Sequence, residues 1–344
     1  VITAKTKSLF AEVNKKMQKS REYRVCLHPD APRGCSSTII RAHTVQRCGG
    51  GLSSIAKDNH VYGCAPDMFQ LNAAAGYLEL NLIGTRQAST FSGFCGEHDA
   101  ALFKEVETEQ FVGTAEQVAV LTFRSAAREV WEKRVKIRAH EIMRHVMKEQ
   151  GSDSFRELMV ASITEADTLD LKRIEDVKAQ LDRIVMQSDW ATIASVILWT
   201  DRVPPVLTSG LTYAQYDFAG HELQDFGSSN PLEGIAVNSI ATDSGAGAII
   251  FSWLRSESVP AHLAASLISQ PQADMGSAAV RFIVEHVENH YVAPDWWEAL
   301  SGDNQSLFLQ HLNGGVPPLR PHGHLWYDSS MKLDVGVNVT AVSK

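Results

Sequence analysis

The chain has 344 residues, 44% of them hydrophobic, and a formal net charge of −8. That length allows two or three domains, each with its own core, and the acidic balance excludes a protein that coats itself in nucleic acid. The longest apolar runs, such as Ala248 to Leu254, fall well short of the roughly 20 residues of a membrane-spanning helix, so no membrane partner is expected.

The sequence opens at Val1 without a methionine, which reads as a trimmed start, and Ile2 to Arg24 holds no apolar signal core; the cytoplasm is the default location. Residues 3 to 20 read as an amphipathic helix with Leu9, Phe10, Val13 and Met17 on one side. Val25 to Cys35 follows as a turn-rich knuckle containing His28, Pro29, Pro32 and Gly34. Ser37 to Val45 has the β-branched density of a strand and is broken by Gly49-Gly50-Gly51. Cys95-Gly96-Glu97-His98 suits the first turn of a helix that Asp99 to Glu107 continues, with Leu102, Phe103 and Val106 as its buried face.

Thr114 to Gln150 carries a long helical period, and a second helix is expected over Thr168 to Met186. The two make an antiparallel pair, with Gly151 to Ser154 as the turn region. Beyond Trp190 the texture becomes strands: Ala191 to Thr200, Ile235 to Thr242 and Gly247 to Trp253, with a turn at Asp243-Ser244-Gly245. Pro260 to Ile268 and Ser277 to Asn289 read as helices, and Gly323 to Val342 contains a last alternating strand. The fold class is α+β, the C-terminal part being built on an antiparallel sheet.

All five cysteines lie between Cys26 and Cys95. A disulfide-stapled secreted chain spreads them more evenly, so a local metal site in a reducing compartment fits better. Zinc takes four soft or borderline ligands, which proteins supply as two short-range pairs. Here the pairs are Cys26 with Cys35 and Cys95 with His98. The first is wide for a zinc knuckle, so His28 is an alternative to Cys35, and Cys48 and Cys64 are spare candidates. Basic residues crowd the same region, Arg33, Arg41 and Arg47 among them, and a second basic stretch runs from Arg124 to Lys148; such local charge on an acidic chain suits phosphate contact.

A cysteine pair, a strand ending in a histidine, and a second ligand pair followed at once by a polar residue that opens a helix: this order resembles the zinc-containing HNH (treble-clef, ββα-metal) nucleases, including the phage-type Holliday-junction resolvases. The resemblance covers residues 24 to 107. It implies a structural zinc at Cys26, Cys35, Cys95 and His98, with His43 as the general base and Asp99 at the position that holds a catalytic divalent ion, Mg or Mn. The family has a metal ligand directly before the base, where this chain has Ala42; Asp58, Asn59 or His60 are candidates to reach in instead.

The expected organisation is therefore a treble-clef-like zinc module over residues 1–108, a helical region over 109–188 and an α+β domain over 189–344. Two functions follow. One is a metal-dependent phosphodiesterase acting on nucleic acid. The other is a non-catalytic zinc-stabilised binding or scaffold protein within a larger assembly, such as a host-defence complex, with a protein partner or second copy at the C-terminal domain.

Other constellations read as structural. Arg138 with His145, and Arg134 with His140, have the loose spacing of HEPN-type ribonucleases but sit on an ordinary basic helix. Glu285 to His290 gathers acids and histidines without a third ligand, and Trp296-Trp297 reads as a core or interface anchor. No phosphate loop and no Gly-x-Ser-x-Gly elbow is present.

Overall fold

The computed structural model describes residues 15, 19–64, 77–149, 154–228, 230–242, 245–314, 327, 333 and 335–344. Most of the helix expected over residues 3 to 20 lies outside them, as do most of the turn at 151–154, residues 243–244 and much of 323–342.

In chain order the described elements are β1 (Ile39–His43), β2 (His60–Gly63), β3 (Asn81–Gly84), β4 (Thr90–Cys95), α1 (Gly96–Leu102), α2 (Lys104–Glu107), α3 (Ala115–Glu149) and α4 (Ser154–Gln187). They continue with β5 (Ile193–Thr200), β6 (Val206–Thr212), β7 (Ile235–Ala241), β8 (Gly247–Leu254), α5 (Val259–Ile268), α6 (Gln272–His286), β9 (His290–Val292), α7 (Pro294–Ala299), α8 (Gly302–Gly314) and β10 (Val339–Ser343). The fold is α+β, with antiparallel sheets and a central pair of long helices.

Eight strands form one sheet in the order β10-β5-β8-β7-β6-β9-β2-β3, and β1 pairs with β4 in a separate antiparallel ribbon. Every residue of β7 and β8 is buried, which requires cover on both faces of the sheet. Side chains alternate across a strand, and β8 sorts accordingly. Ile249, Phe251 and Trp253 join a core with α5, α6 and α8, whereas Ala248, Ile250 and Leu254 join a second core with α3 and α4. That second core also takes in Leu27, Ala42, Phe91 and Phe94, so the β1/β4 ribbon rests on the same α3 surface that covers the sheet.

The ribbon and the sheet are further joined by buried polar groups. Asn289 Nδ2 donates to the Thr44 hydroxyl at 2.8 Å and to the Ser209 carbonyl at 2.7 Å, and the Tyr291 hydroxyl donates to Asn289 Oδ1 at 3.1 Å. Burying these groups is tolerable only because they satisfy one another.

α3 and α4 pack along their length and are laced by ion pairs, Lys133 with Asp167 at 2.7 Å and Arg134 with Glu175 at 2.7 Å. The Arg138 guanidinium lies over the Tyr23 ring, and His140 sits 3.6 Å from Asp167. Arg134 and His140 thus face α4, and Arg138 packs on the segment before β1. No helix among the described residues is long and apolar enough to cross a membrane.

Candidate metal centre

β4 delivers Cys95 to the first turn of α1, and the chain before β1 folds its knuckle back over that point. Val25 and Leu27 donate their amides to the carbonyls of Ser92 and Gly93, at 3.1 and 2.8 Å, which brings Cys26 against β4. Gly34 has φ +66 in the left-handed region, and a Cβ there would stand 3.2 Å from His98 Nε2. A side chain at that position is disfavoured by its backbone and would press on the imidazole, so glycine lets the knuckle close over His98.

Cys26, Cys35, Cys95 and His98 converge, their ligand atoms all within 4.8 Å of one another, and they are the one such group among the described residues. His98 turns Nδ1 toward the sulfurs, 3.4 Å from Cys26 Sγ and 3.5 Å from Cys35 Sγ. A tetrahedron with Zn–S near 2.3 Å and Zn–N near 2.05 Å has sulfur–nitrogen edges of about 3.5 Å. The spacing therefore suits a tetrahedral ion, and three thiols with one imidazole are a donor set that could hold a metal such as zinc.

The electrostatics agree. Burial pushes the Cys95 thiol up, but hydrogen bonds from the His98 and Ser36 amides, the Ser36 hydroxyl and Cys26 outweigh it and bring it to about 7. Burial, the hydrogen bond with Cys26 and the charge of Cys26 push Cys35 up to about 12. A cation at the centre would stabilise all three thiolates together. His28 stays outside the quartet: its Nδ1 accepts the Asp30 amide at 3.1 Å and its ring stacks on His98. Cys48 is exposed and Cys64 follows β2, and neither joins the cluster.

His43 ends β1 with Nε2 3.2 Å from the Thr85 carbonyl, to which it donates. Burial, and then the charges of Arg47, Arg124 and Arg41, lower its pKa against the Thr85 bond that raises it. Asp99, in the first turn of α1, is 9% exposed, and its Oδ1 has no hydrogen-bond partner among the described residues. Burial raises its carboxyl to about 6, the Glu107 charge adding to this and the Arg124 charge opposing it. Arg124, 1% exposed, donates to Glu107 at 2.5 Å, while its Nε and Nη1 find no partner among the described residues.

Ala42 is 5% exposed and packs with Phe91, so an apolar contact occupies the position where the nuclease resemblance calls for a ligand. His60 instead turns Nδ1 onto the Asp58 carbonyl at 2.7 Å. The helix expected to run on from Asp99 to Glu107 is interrupted at Phe103, where φ −99 and ψ 9 leave the helical region. No family model matches this chain, and no curated protein or solved structure gives a significant match. The cysteine-histidine cluster therefore rests on geometry alone, and nothing in those comparisons identifies an HNH nuclease.

Two residues escape a reading of the sequence. Ser36 donates to Cys95 and is marked only by following Cys35. Arg124 looks like the start of a basic helix face, although it lies between Phe123 and Ser125, both fully buried. The Glu285–His290 segment gathers no metal group among the described residues: His286 stacks on Phe282, and His290 is buried with Nδ1 2.6 Å from the Val287 carbonyl. Trp296 and Trp297 pack against Phe308 in the core.

Proposed function

We propose that the cluster holds a structural zinc ion and that the chain is a zinc-stabilised binding or scaffold protein. Four protein ligands close a tetrahedron and leave no open position for substrate, the pattern of structural rather than catalytic sites. When bound, the ion supplies a cross-link between the knuckle, the β1/β4 ribbon and α1. Its thiolate ligands suit a reducing compartment such as the cytoplasm.

The observation that carries the non-catalytic reading is the position of Arg124. Its guanidinium is 1% exposed, stacks 3.8 Å over Phe103 and pairs with Glu107, and its charge lowers the pKa of both His43 and Asp99, so a fixed positive group already serves the two residues a nuclease would use. A fixed positive group there disfavours a second one. Incubation with plasmid, single-stranded DNA and RNA in Mg or Mn should give no cleavage above a blank. Cleavage that disappears in His43→Ala would overturn this reading.

A metal-dependent phosphodiesterase is the second reading, with His43 as base and Asp99 toward Mg or Mn. It is favoured by the His43–Thr85 bond, which keeps the proton on Nε2 and leaves Nδ1 as the basic nitrogen. On either reading the exposed Arg41, Arg47 and Arg86 give the face beyond β1 a positive rim suited to nucleic acid. A protein partner or second copy belongs, on the same proposal, to the C-terminal part.

A further inference from the structure

The turn from β3 to β4 separates two imidazoles. On its inner side the Thr85 carbonyl accepts His43. On its outer side a cleft of about 390 Å³ opens, lined by Asn59, His60, Gly84, Thr85, Arg86 and Gln87. That volume lies at the lower end of small-molecule sites, enough for a group the size of one nucleotide.

The lining is rich in donors and holds no carboxylate. His60 gives its Nδ1 proton to the Asp58 carbonyl at 2.7 Å, and the opposite nitrogen, Nε2, which donates to an anion when the ring is the imidazolium, comes within 3.9 Å of where a Gly84 side chain would begin. The ring is thus fixed with Nε2 beside the cleft floor. Arg86 is exposed and makes no ion pair among the described residues. A second guanidinium stands behind the wall: Arg41 Nη2 donates to the Thr90 hydroxyl at 3.0 Å, and that hydroxyl donates to the Gln87 carbonyl at 2.9 Å. The nearest acids on α7, Asp295 and Glu298, are both held by Lys57, at 3.0 and 2.7 Å.

Thr85 gives its amide to the Asn59 carbonyl at 2.8 Å, which locks the two sides of the cleft together. Asn59, at φ 58, carries its amide side chain on left-handed backbone that asparagine tolerates better than most residues. A planar guanidinium, an imidazole and two carboxamides around one small opening suit a tetrahedral anion with several acceptor oxygens. We infer that this cleft binds the phosphate group of a phosphate ester, through Arg86, His60, Asn59 and Gln87. The inference rests on the reading of the chain as a binding protein and names the chemistry that it binds.

The test is a calorimetric titration of the zinc-loaded full chain with inorganic phosphate, a nucleoside 5′-monophosphate and a short single-stranded oligonucleotide. Arg86→Ala and His60→Gln are compared with the parent, and zinc content and thermal midpoint are measured in parallel. Binding of the monophosphate, the oligonucleotide or both is expected, weakened at least about tenfold in Arg86→Ala with zinc and midpoint unchanged. Binding of the monophosphate alone assigns a free nucleotide, and binding of the oligonucleotide alone a strand phosphodiester. No binding by the parent, or binding by both variants as tight as the parent's, would overturn the inference. A chain that lacks zinc yet binds phosphate through Arg86 would sink the zinc reading and leave the cleft standing.

Discussion

The guanidinium carbon of Arg124 lies 3.8 Å from the centroid of the Phe103 ring, while Nη2 of the same side chain reaches Glu107. Phe103 in turn packs edge-on against Phe94, ring centroids 5.2 Å apart, so one buried arginine ties α3 to the helical break and to β4. Arg124→Ala removes the charge and the stack together and should cost about 3 kcal/mol, partly because Glu107 loses its partner. Arg124→Met keeps the volume and removes the two unpartnered nitrogens, so it should cost clearly less. Urea unfolding of both variants checks this, and equal losses would contradict it.

His28 and His98 stack with centroids 3.9 Å apart and planes 9° from parallel. Groups that hold a ligand imidazole in orientation commonly change metal affinity by about 10- to 100-fold when removed. His28→Ala should therefore weaken zinc binding by about tenfold in a chelator competition without abolishing it. Complete loss would make His28 a ligand, and unchanged affinity would make the stack incidental.

Asn289 is 3% exposed and bonds groups from the β1 end, β6 and Tyr291 of β9. Asn289→Ala leaves the Ser209 carbonyl and the Tyr291 hydroxyl short of partners, which should cost about 2 kcal/mol. Tyr291→Phe, which removes one hydroxyl that also accepts the Ser89 amide, should cost about 1 kcal/mol. The midpoint of urea unfolding reports both, and a silent Asn289→Ala would show that the ribbon is held to the sheet by apolar packing alone.

Glu257 gives the fold a pH dependence of known sign. Burial, and then the charge of Glu233, raise its carboxyl from 4.5 to about 8. Between those values the folded chain keeps a proton that the unfolded chain has lost. The stabilisation is complete below 4.5, falls as pH rises through the interval, and is gone above about 8. Glu257→Gln should flatten the difference in thermal midpoint between about pH 5 and about pH 9 relative to the parent. The same slope in both proteins would remove Glu257 as its source.

Where apolar runs have clear ends, the sequence is legible. The long helix at Ala115–Glu149 and strands β5, β7 and β8 fall within two residues of the expected bounds, because their apolar and β-branched runs end at turn residues, although burial is continuous over residues 117–127, β7 and β8. α4 begins at Ser154 rather than near Thr168, since Leu158, Ile163 and Leu169 are exposed and hide the helical stripe. β6 runs through Ser209-Gly210, a pair with the composition of a turn. A Cβ at Gly210 would stand 2.5 Å from Val287 Cγ1, so this glycine serves a close approach inside a strand. β2, β3 and β9 are three or four residues long and draw their pairing from distant parts of the chain, which no local pattern announces. At the metal centre the four residue types and their order pointed to one ion. The choice of Cys35 over His28 needed the fold, because it depends on which face of His98 the knuckle closes against.

The metal content of the purified chain tests the central claim most directly. Elemental analysis after folding with zinc supplied should give one zinc ion per chain in the parent and none in Cys95→Ser, with loss of folded signal in that variant. A parent that folds without metal, or a Cys95→Ser chain that keeps its full zinc, would contradict the account.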